Sequence, residues 1–212
     1  MVPAPPSHPK WRERAELVLQ RAKDHPGGCD IVFIGDSITE FWETSGTNVW
    51  QRYYGGRSCL NLGVSGDRTQ CLLWRFERGQ LAGLKPKLVV LMIGTNNCNN
   101  DDNTEAELVE GVKAVLAQLR TRLPESKILL LGIFPRGETF GPQRGKIAQV
   151  NQALARLGGT EHISYLDISS QLIERDGSIA RAVMPDFLHL SERGYELWAD
   201  AMEPEIKRLL GN

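Results

Sequence analysis

Residues 29–37 read Cys29-Asp30-Ile31-Val32-Phe33-Ile34-Gly35-Asp36-Ser37, and the rest of the chain is organised around this stretch. Residues 31–34 form a continuous apolar run, which is typical of a strand buried on both faces of a parallel sheet. Ser37 follows at a tight glycine turn, and residues 38–42 are expected to begin a helix. Open α/β sheets place their ligand sites at the carboxyl ends of the strands. Ser37 is therefore a candidate nucleophile beside the positive end of a helix; the alternative is an ordinary turn with a capping side chain.

Strand-like and helix-like segments alternate along the rest of the chain. Further strands are predicted at residues 58–62, 88–93, 128–131 and 163–166. Helices are predicted at residues 11–23, 67–76, 104–123, 147–157 and 191–210, and a short one near Trp50 in an otherwise irregular stretch, 41–54. Pro26-Gly27-Gly28 is expected to end the first helix, and Pro204 to kink the last. This alternation requires a parallel sheet with helices on both faces, so the sequence predicts a three-layer α/β fold.

Length and charge limit the classes of protein to which the chain can belong. The chain has 212 residues, enough for one domain with a sizeable core. Residues 1–10 are expected to form a loose lead-in, and residues 11–212 the domain. A formal net charge of −1 provides no basic surface for nucleic acid or anionic lipid, and no apolar run is long enough to span a membrane. The cytoplasm is slightly favoured as the compartment, with secretion after removal of a signal peptide as the alternative.

The cysteines and histidines do not indicate a metal site. Cys29, Cys59, Cys71 and Cys98 form no Cys-x-x-Cys pair, and the histidines are not at zinc-ligand spacing. Cys29 and Cys59 are expected to be buried thiols, and the fold is not expected to depend on disulfides. The polar run at residues 96–103 lacks the alternating ligands and the glycine of a calcium loop, so a solvated loop is favoured.

Polar turns follow three successive strands, at residues 35–37, 63–66 and 94–97, and in one parallel sheet all three would lie at the same edge. Asp186 and His189 are three residues apart, and a single helical turn would direct both side chains the same way. The carboxylate could then orient the imidazole while the other ring nitrogen takes a proton from Ser37, as acyl transfer requires. The alternatives are a structural histidine, and an Asp-x-x-His turn or cap.

The oxyanion that develops in acyl transfer needs fixed hydrogen-bond donors. The Ser37 N–H, the Gly66 N–H and the Asn96 side-chain amide are candidates at the same edge. Gly66 has an alternative role as a turn residue with positive φ, and Asn96 as a partner of its own loop. Asp36 is expected to be a turn former or a helix-start anion rather than a catalytic acid.

Four motifs, in this order, resemble the sequence blocks of the SGNH, or GDSL-type, hydrolases. They are Phe33-Ile34-Gly35-Asp36-Ser37, Asn61-Leu62-Gly63-Val64-Ser65-Gly66-Asp67, Gly94-Thr95-Asn96-Asn97 and Asp186-Phe187-Leu188-His189. Within that family the chain is most similar to the catalytic subunits of intracellular platelet-activating-factor acetylhydrolase and their bacterial relatives, from about residue 11 to residue 210. The similarity includes Leu73-Trp74-Arg75, Lys85-Pro86-Lys87 and residues 132–138.

The resemblance implies a flavodoxin-like sheet of five parallel strands, with no metal and no organic cofactor. It implies a catalytic triad of Ser37, Asp186 and His189. It also implies an oxyanion hole formed by Ser37, Gly66 and Asn96.

The resemblance carries further implications for the acyl group and for assembly. In the acetylhydrolase subunits the residues that flank the catalytic ones line a small acyl pocket, which here would be formed by Ile38, Thr95 and Leu188. Ser65 stands where those subunits carry glycine. The family's mammalian members form dimers and bind a β-propeller protein, and a homodimer is the only assembly expected here.

These features predict a serine esterase that removes short acyl groups, acetyl above all, from a small-molecule ester. A carbohydrate acetylesterase that acts on a sugar or on xylan with the same machinery is the alternative. A binding module that kept the fold and lost the chemistry is less favoured, because every catalytic position holds a competent residue. The sequence does not identify the alcohol part of the substrate.

Overall fold

The computed structural model describes residues 2–25, 28–99 and 102–211, so the predicted helix stop at Pro26-Gly27 and part of the polar run at 96–103 lie outside the described residues. Five strands form one parallel sheet in the order β2-β1-β3-β4-β5, which confirms the predicted sheet. The strands are β1 (Ile31–Gly35), β2 (Cys59–Asn61), β3 (Leu88–Met92), β4 (Lys127–Leu131) and β5 (Ile163–Leu166).

Helices follow the strands and cover the sheet. The described α-helices are α1 (Pro9–Lys23), α2 (Ser37–Glu40), α3 (Thr47–Tyr54), α4 (Thr69–Glu77), α5 (Glu105–Arg122), α6 (Pro142–Ala155), α7 (Ser169–Leu172) and α8 (Glu192–Leu210), and 3₁₀ turns lie at Phe41–Glu43 and Thr95–Cys98. None of the helices in the described part of the chain is both long enough and apolar enough to cross a membrane.

The core has two halves, one on each face of the sheet. Alternate residues of β1 face opposite ways: Val32 and Ile34 pack with apolar side chains of α1, α4, α5 and α6, whereas Ile31 and Phe33 pack with those of α3 and α8. All five residues of β1 are buried. A strand buried on both faces explains why residues 31–34 are apolar without alternation.

Two helical regions differ from their prediction by more than two residues. Helix α6 begins at Pro142 rather than residue 147, because proline is well suited to the first turn, where its missing N–H has no intrahelical partner. Residues 41–54, predicted to be largely irregular, are mostly helical. Gly46 lies between the two helical segments and lets the chain pass closely between Trp42 and Tyr195, because a Cβ atom at this position would lie 2.8 Å from the Trp42 ring and 2.9 Å from the Tyr195 ring. The capping box of α5 is present as predicted, with both reciprocal hydrogen bonds between Thr104 and Glu107.

Candidate active site

Ser37, His189 and Asp186 form one continuous hydrogen-bonded chain. The Ser37 Oγ lies 3.0 Å from His189 Nε2, although the two residues are 152 positions apart. The other ring nitrogen, Nδ1, lies 2.7 Å from Asp186 Oδ2. The three candidates chosen from the sequence therefore meet at the carboxyl edge of the sheet, in the order that acyl transfer requires.

The end of β1 places Ser37 at the first position of helix α2. Asp36 caps this helix, since its Oδ1 accepts a hydrogen bond of 3.0 Å from the Ile38 N–H, and the expected helix-start role is thus observed. Gly35 cannot be replaced without a shift, because a Cβ atom would lie 2.4 Å from the Met92 carbonyl oxygen and 2.2 Å from Thr39 Oγ1. A glycine is therefore needed at position 35, where the end of β1 lies against both β3 and Thr39 of α2.

The segment that carries Asp186 and His189 is a non-helical turn, as the turn alternative held, and not a single turn of helix. Asp186 Oδ1 accepts hydrogen bonds from the Leu188 N–H (3.0 Å) and the His189 N–H (2.7 Å), and Phe187 has φ 59°. The carboxylate thus folds its own loop around itself, which Asp does readily, and its second oxygen is left for the imidazole. Partial burial would raise the pKa of Asp186, but hydrogen bonds from the His189 ring and from these two backbone N–H groups outweigh it and keep the pKa below its usual value.

The Gly66 N–H is available to a ligand. Among the described residues it has no hydrogen-bond acceptor, whereas its neighbours do: the Val64 N–H bonds to the Gly35 carbonyl (3.1 Å) and the Asp67 N–H to the Val64 carbonyl (3.2 Å). Gly66 has φ 72°, as the turn alternative expected, and a Cβ atom there would lie 2.2 Å from the Trp11 ring. The turn role and the donor role are therefore compatible.

The Asn96 side chain bonds to the neighbouring loop rather than only to its own. Its Nδ2 donates to the Asp67 carbonyl over 2.9 Å. This bond uses one of the two amide hydrogens and leaves the other for a ligand. Since Asp67 follows Gly66 directly, the bond also ties the two candidate donors to each other.

A buried ion pair supports this loop, and the sequence reasoning missed it. Arg75 of α4 lies 2.7 Å from Asp67 through Nη2 and Oδ2, with both side chains fully buried, and its Nη1 donates to the Leu62 carbonyl over 2.9 Å. Asn61 was missed as well: its Oδ1 accepts from the Gly63 N–H (2.8 Å) and its Nδ2 donates to the Thr39 carbonyl (2.9 Å). A signal was available in the sequence: Asn61 and Arg75 are polar residues with apolar neighbours on both sides, and buried polar groups need hydrogen-bond partners.

The three residues expected to line an acyl pocket differ in burial. Ile38 and Thr95 are buried, and Leu188 is half-buried. Arg136 holds Thr95 in place: its Nη1 donates to the Thr95 carbonyl (3.2 Å) and to Asn99 Oδ1 (2.9 Å). A cavity of about 770 Å³ has Arg136, Phe140 and Lys146 in its lining, and none of the three expected pocket residues lines it.

Two buried carboxyl groups lie next to the nucleophile. Burial raises the pKa of Asp36 to about 7, against the hydrogen bond from Ile38, and nearby Asp67 raises it further. Burial also raises the pKa of Asp67, although the Arg75 guanidinium opposes the shift. Asp36 Oδ2 has no hydrogen-bond partner among the described residues, so ionisation of this oxygen is costly.

The pH dependence of stability follows from these raised pKa values. Because the folded chain binds protons that the unfolded chain releases, the free energy of unfolding should fall as pH rises from about 4 to about 7 and level off above that. Asp36→Asn keeps a capping oxygen but cannot ionise, so its decline should be shallower, by up to about 4 kcal/mol over the window. Urea unfolding at pH 5 and at pH 8 measures the free energy of unfolding of each protein. An equal change in this free energy between the two pH values in the wild type and in Asp36→Asn would contradict the prediction.

The chain matches a known protein family over most of its length. A model of the GDSL-like Lipase/Acylhydrolase family matches residues 33–197. Platelet-activating factor acetylhydrolase IB subunit alpha2 of Rattus norvegicus is 37% identical over 202 residues, which cover 95% of this chain and 85% of the relative.

Two solved structures share the fold. A GDSL-like lipase from Bacteroides thetaiotaomicron has a TM-score of 0.72 and 19% identity, with 92% of this chain and 97% of that chain covered. An acetylxylan esterase from Geobacillus stearothermophilus has a TM-score of 0.68 and 20% identity, with 89% and 96% covered.

The region matched by the family model runs from β1 into α8 and contains the four motifs on which the sequence resemblance rests. Together with the similarity to the rat acetylhydrolase subunit over 95% of this chain, this confirms the resemblance. The chain belongs to the GDSL-like lipase/acylhydrolase family and is a carboxylic ester hydrolase.

Proposed function

We propose that this protein hydrolyses short acyl esters, acetyl esters above all, with Ser37 as nucleophile, His189 as general base and Asp186 as the carboxylate that orients the base. The observation that carries the proposal is the hydrogen-bonded chain from Ser37 Oγ to His189 Nε2 (3.0 Å) and from His189 Nδ1 to Asp186 Oδ2 (2.7 Å). The name of the rat relative, an acetylhydrolase, supports acetyl as the acyl group.

In the first half of the reaction, Ser37 Oγ attacks the carbonyl carbon of the ester and its proton passes to His189 Nε2. Asp186 accepts the Nδ1 hydrogen, which fixes the tautomer with a free Nε2 and stabilises the imidazolium that forms. Negative charge moves onto the carbonyl oxygen. The Ser37 N–H, the Gly66 N–H and the second hydrogen of the Asn96 amide would receive it, and all three belong to groups fixed by helix or loop hydrogen bonds.

In the second half, the tetrahedral intermediate collapses and the bond to the alcohol oxygen breaks. His189 returns its proton to the departing alcohol, and the acyl group stays on Ser37 Oγ. A water molecule then attacks the acyl carbon, with His189 again taking the proton. The acid is released when the Ser37 oxygen leaves and regains that proton.

Asn96→Ala is expected to lower kcat about 10²- to 10³-fold, because it removes one fixed donor to the oxyanion. Steady-state hydrolysis of p-nitrophenyl acetate measures the effect. Asn48→Ala is the matched control, since Asn48 is exposed on α3 and its amide bonds, within the described residues, only to Glu192, and its kcat should equal that of the wild type. An unchanged rate in the Asn96 variant would remove this residue from the oxyanion hole.

The proposed acyl pocket predicts a narrow chain-length preference. Ile38, Thr95 and Leu188 all carry branched side chains, and the two buried ones have little freedom to move aside. For p-nitrophenyl esters from acetate to octanoate, kcat/KM should therefore decline steeply beyond butyrate. A preference for octanoate would contradict a small pocket and, with it, the acetyl assignment.

The same assay distinguishes the carbohydrate alternative. Acetylated xylan and sugar acetates are compared with p-nitrophenyl acetate at equal enzyme concentration. If kcat/KM for acetate release is higher with a carbohydrate than with p-nitrophenyl acetate, the protein would be assigned to carbohydrate deacetylation by the same residues. We expect the simple ester to be the better substrate.

A further inference from the structure

Glu40 receives both hydrogen-bond donors of Ser65. Its Oε2 accepts from the Ser65 N–H over 2.6 Å and from the Ser65 Oγ over 2.7 Å. Glu40 is the last residue of α2, the helix that begins with Ser37, and its own N–H donates to the Asp36 carbonyl (2.9 Å). One short helix thus carries the nucleophile at one end and, at the other, the carboxylate that holds the next loop.

The held residue directly precedes Gly66. Along residues 64–67 each backbone N–H has an acceptor, with the single exception, among the described residues, of Gly66. Gly66 has no side chain to fix its orientation, and glycine has the widest choice of backbone conformations. The direction of its N–H is therefore set by the bonds on either side of it, of which the Glu40 bond is the shorter and the charge-assisted one.

The carboxylate is partly balanced by a neighbouring cation. Arg14 of α1 lies 3.7 Å from Glu40 through Nε and Oε1, and the same Nε donates to the Gly63 carbonyl over 3.1 Å. The backbone of the loop also passes directly over α2, since a Cβ atom on Gly63 would lie 2.2 Å from the Glu40 nitrogen. Glu40 is thus built into the contact between the helix and the loop and is not a free surface acid.

We propose that Glu40 is a positioning residue for the oxyanion hole, acting through Ser65 to keep the Gly66 N–H directed at the developing negative charge. The inference rests on the proposed esterase function. Hydrogen-bond donors stabilise a transition state only where they are held in place before the charge develops. In this chain the serine at position 65 supplies a second donor to Glu40, which a glycine could not.

Substitutions of Ser65 and Glu40 test the proposal, because it predicts which of them lowers kcat least and which lowers it most. Ser65→Ala keeps the backbone bond and should lower kcat for p-nitrophenyl acetate only about 2- to 5-fold. Glu40→Gln keeps an uncharged acceptor and should lower it about 10-fold. Glu40→Ala removes the acceptor and should lower it about 10- to 100-fold, less than the loss of a donor itself. KM should change little in each variant, because the bound ester carries no developed charge.

A second measurement separates positioning from a general effect on folding. 1,1,1-Trifluoroacetone is used as the probe, since addition of Ser37 Oγ to its carbonyl carbon forms a hemiketal oxyanion. Its affinity should fall in each variant by about the same factor as kcat/KM. Glu43→Gln is the matched control: Glu43 pairs with Arg14 and Arg21 in the same surface network and does not bond to Ser65, so both quantities should stay near those of the wild type.

The outcomes distinguish this inference from the function on which it rests. A rate and a trifluoroketone affinity within about twofold of the wild type in Glu40→Ala would overturn the positioning role and leave the esterase function intact. A lower rate with unchanged trifluoroketone affinity would overturn it equally. If Glu40→Ala does not fold, Glu40→Gln decides by the same two criteria, because it keeps an acceptor for the Ser65 N–H and is expected to lower the rate about 10-fold.

Discussion

Ser37→Ala is expected to lower kcat for p-nitrophenyl acetate by about a million-fold, as loss of the nucleophile does in serine proteases. The physical reason is that the variant lacks the hydroxyl on which the acyl intermediate forms. The ester could then be hydrolysed only by direct attack of a water molecule, which is not held in place beside His189 as the Ser37 Oγ is. KM should change little, because the ester contacts the pocket and the oxyanion hole rather than the serine hydroxyl before reaction. The rate is measured with protein purified away from host esterases.

A matched control keeps this prediction specific. Ser170 is an exposed serine on α7, and Ser170→Ala should hydrolyse the ester at the wild-type rate. Both variants should unfold at the same urea concentration as the wild type to within a few tenths molar, since neither removes a capping or core contact. A Ser37→Ala protein with near wild-type activity would overturn the assignment of the nucleophile.

Asp186→Asn is expected to lower kcat about 10⁴-fold, the loss seen when the triad carboxylate of a serine protease is made an amide. The asparagine oxygen can still accept from the Leu188 and His189 N–H groups, so the loop should keep its shape. Its NH₂ group, however, would face His189 Nδ1 and favour the tautomer that carries the hydrogen on Nε2. That nitrogen could then no longer accept the proton of Ser37.

The control for this variant comes from a similar turn elsewhere in the chain. Asp176 also accepts from the backbone two residues ahead, with the Ser178 N–H 2.9 Å from its Oδ1, but in the described part of the chain it forms no hydrogen bond or ion pair with a histidine. Asp176→Asn should therefore leave kcat unchanged. If the two asparagine variants had equal activity, Asp186 would have a structural role in its loop and not the orienting role proposed here.

The sheet could be predicted from the sequence because burial on both faces leaves a signal in each strand. The runs at residues 31–34, 88–93 and 128–131 are apolar throughout, and the first two are each followed by a glycine-containing polar turn. Since the carboxyl ends of parallel strands share one edge, the approach of Ser37, Gly66 and Asn96 to one another could be expected before any coordinates. The choice of Asp186 and His189 rested partly on elimination among four histidines and partly on the family resemblance.

The details of the site depend on contacts between residues far apart in the sequence, which no local pattern encodes. The spacing of Asp186 and His189 left a helical turn and a non-helical turn both open, and the choice is made by the carboxylate, which bonds to two backbone N–H groups and gives a bend with Phe187 at φ 59°. The buried pair of Asp67 and Arg75 is visible only when α4 is packed under the loop. The contact between Glu40 and Ser65 joins residues 25 positions apart, and no pattern around Glu40 indicates it.

The most direct test of the central claim is to find which residue a fluorophosphonate labels. The intact protein is treated with the reagent and digested, and the modified peptide is identified by mass spectrometry. The account predicts one adduct, on Ser37, with esterase activity lost in proportion to labelling and no adduct in the Ser37→Ala protein. Loss of activity with the adduct on another residue, or full activity with Ser37 labelled, would contradict it.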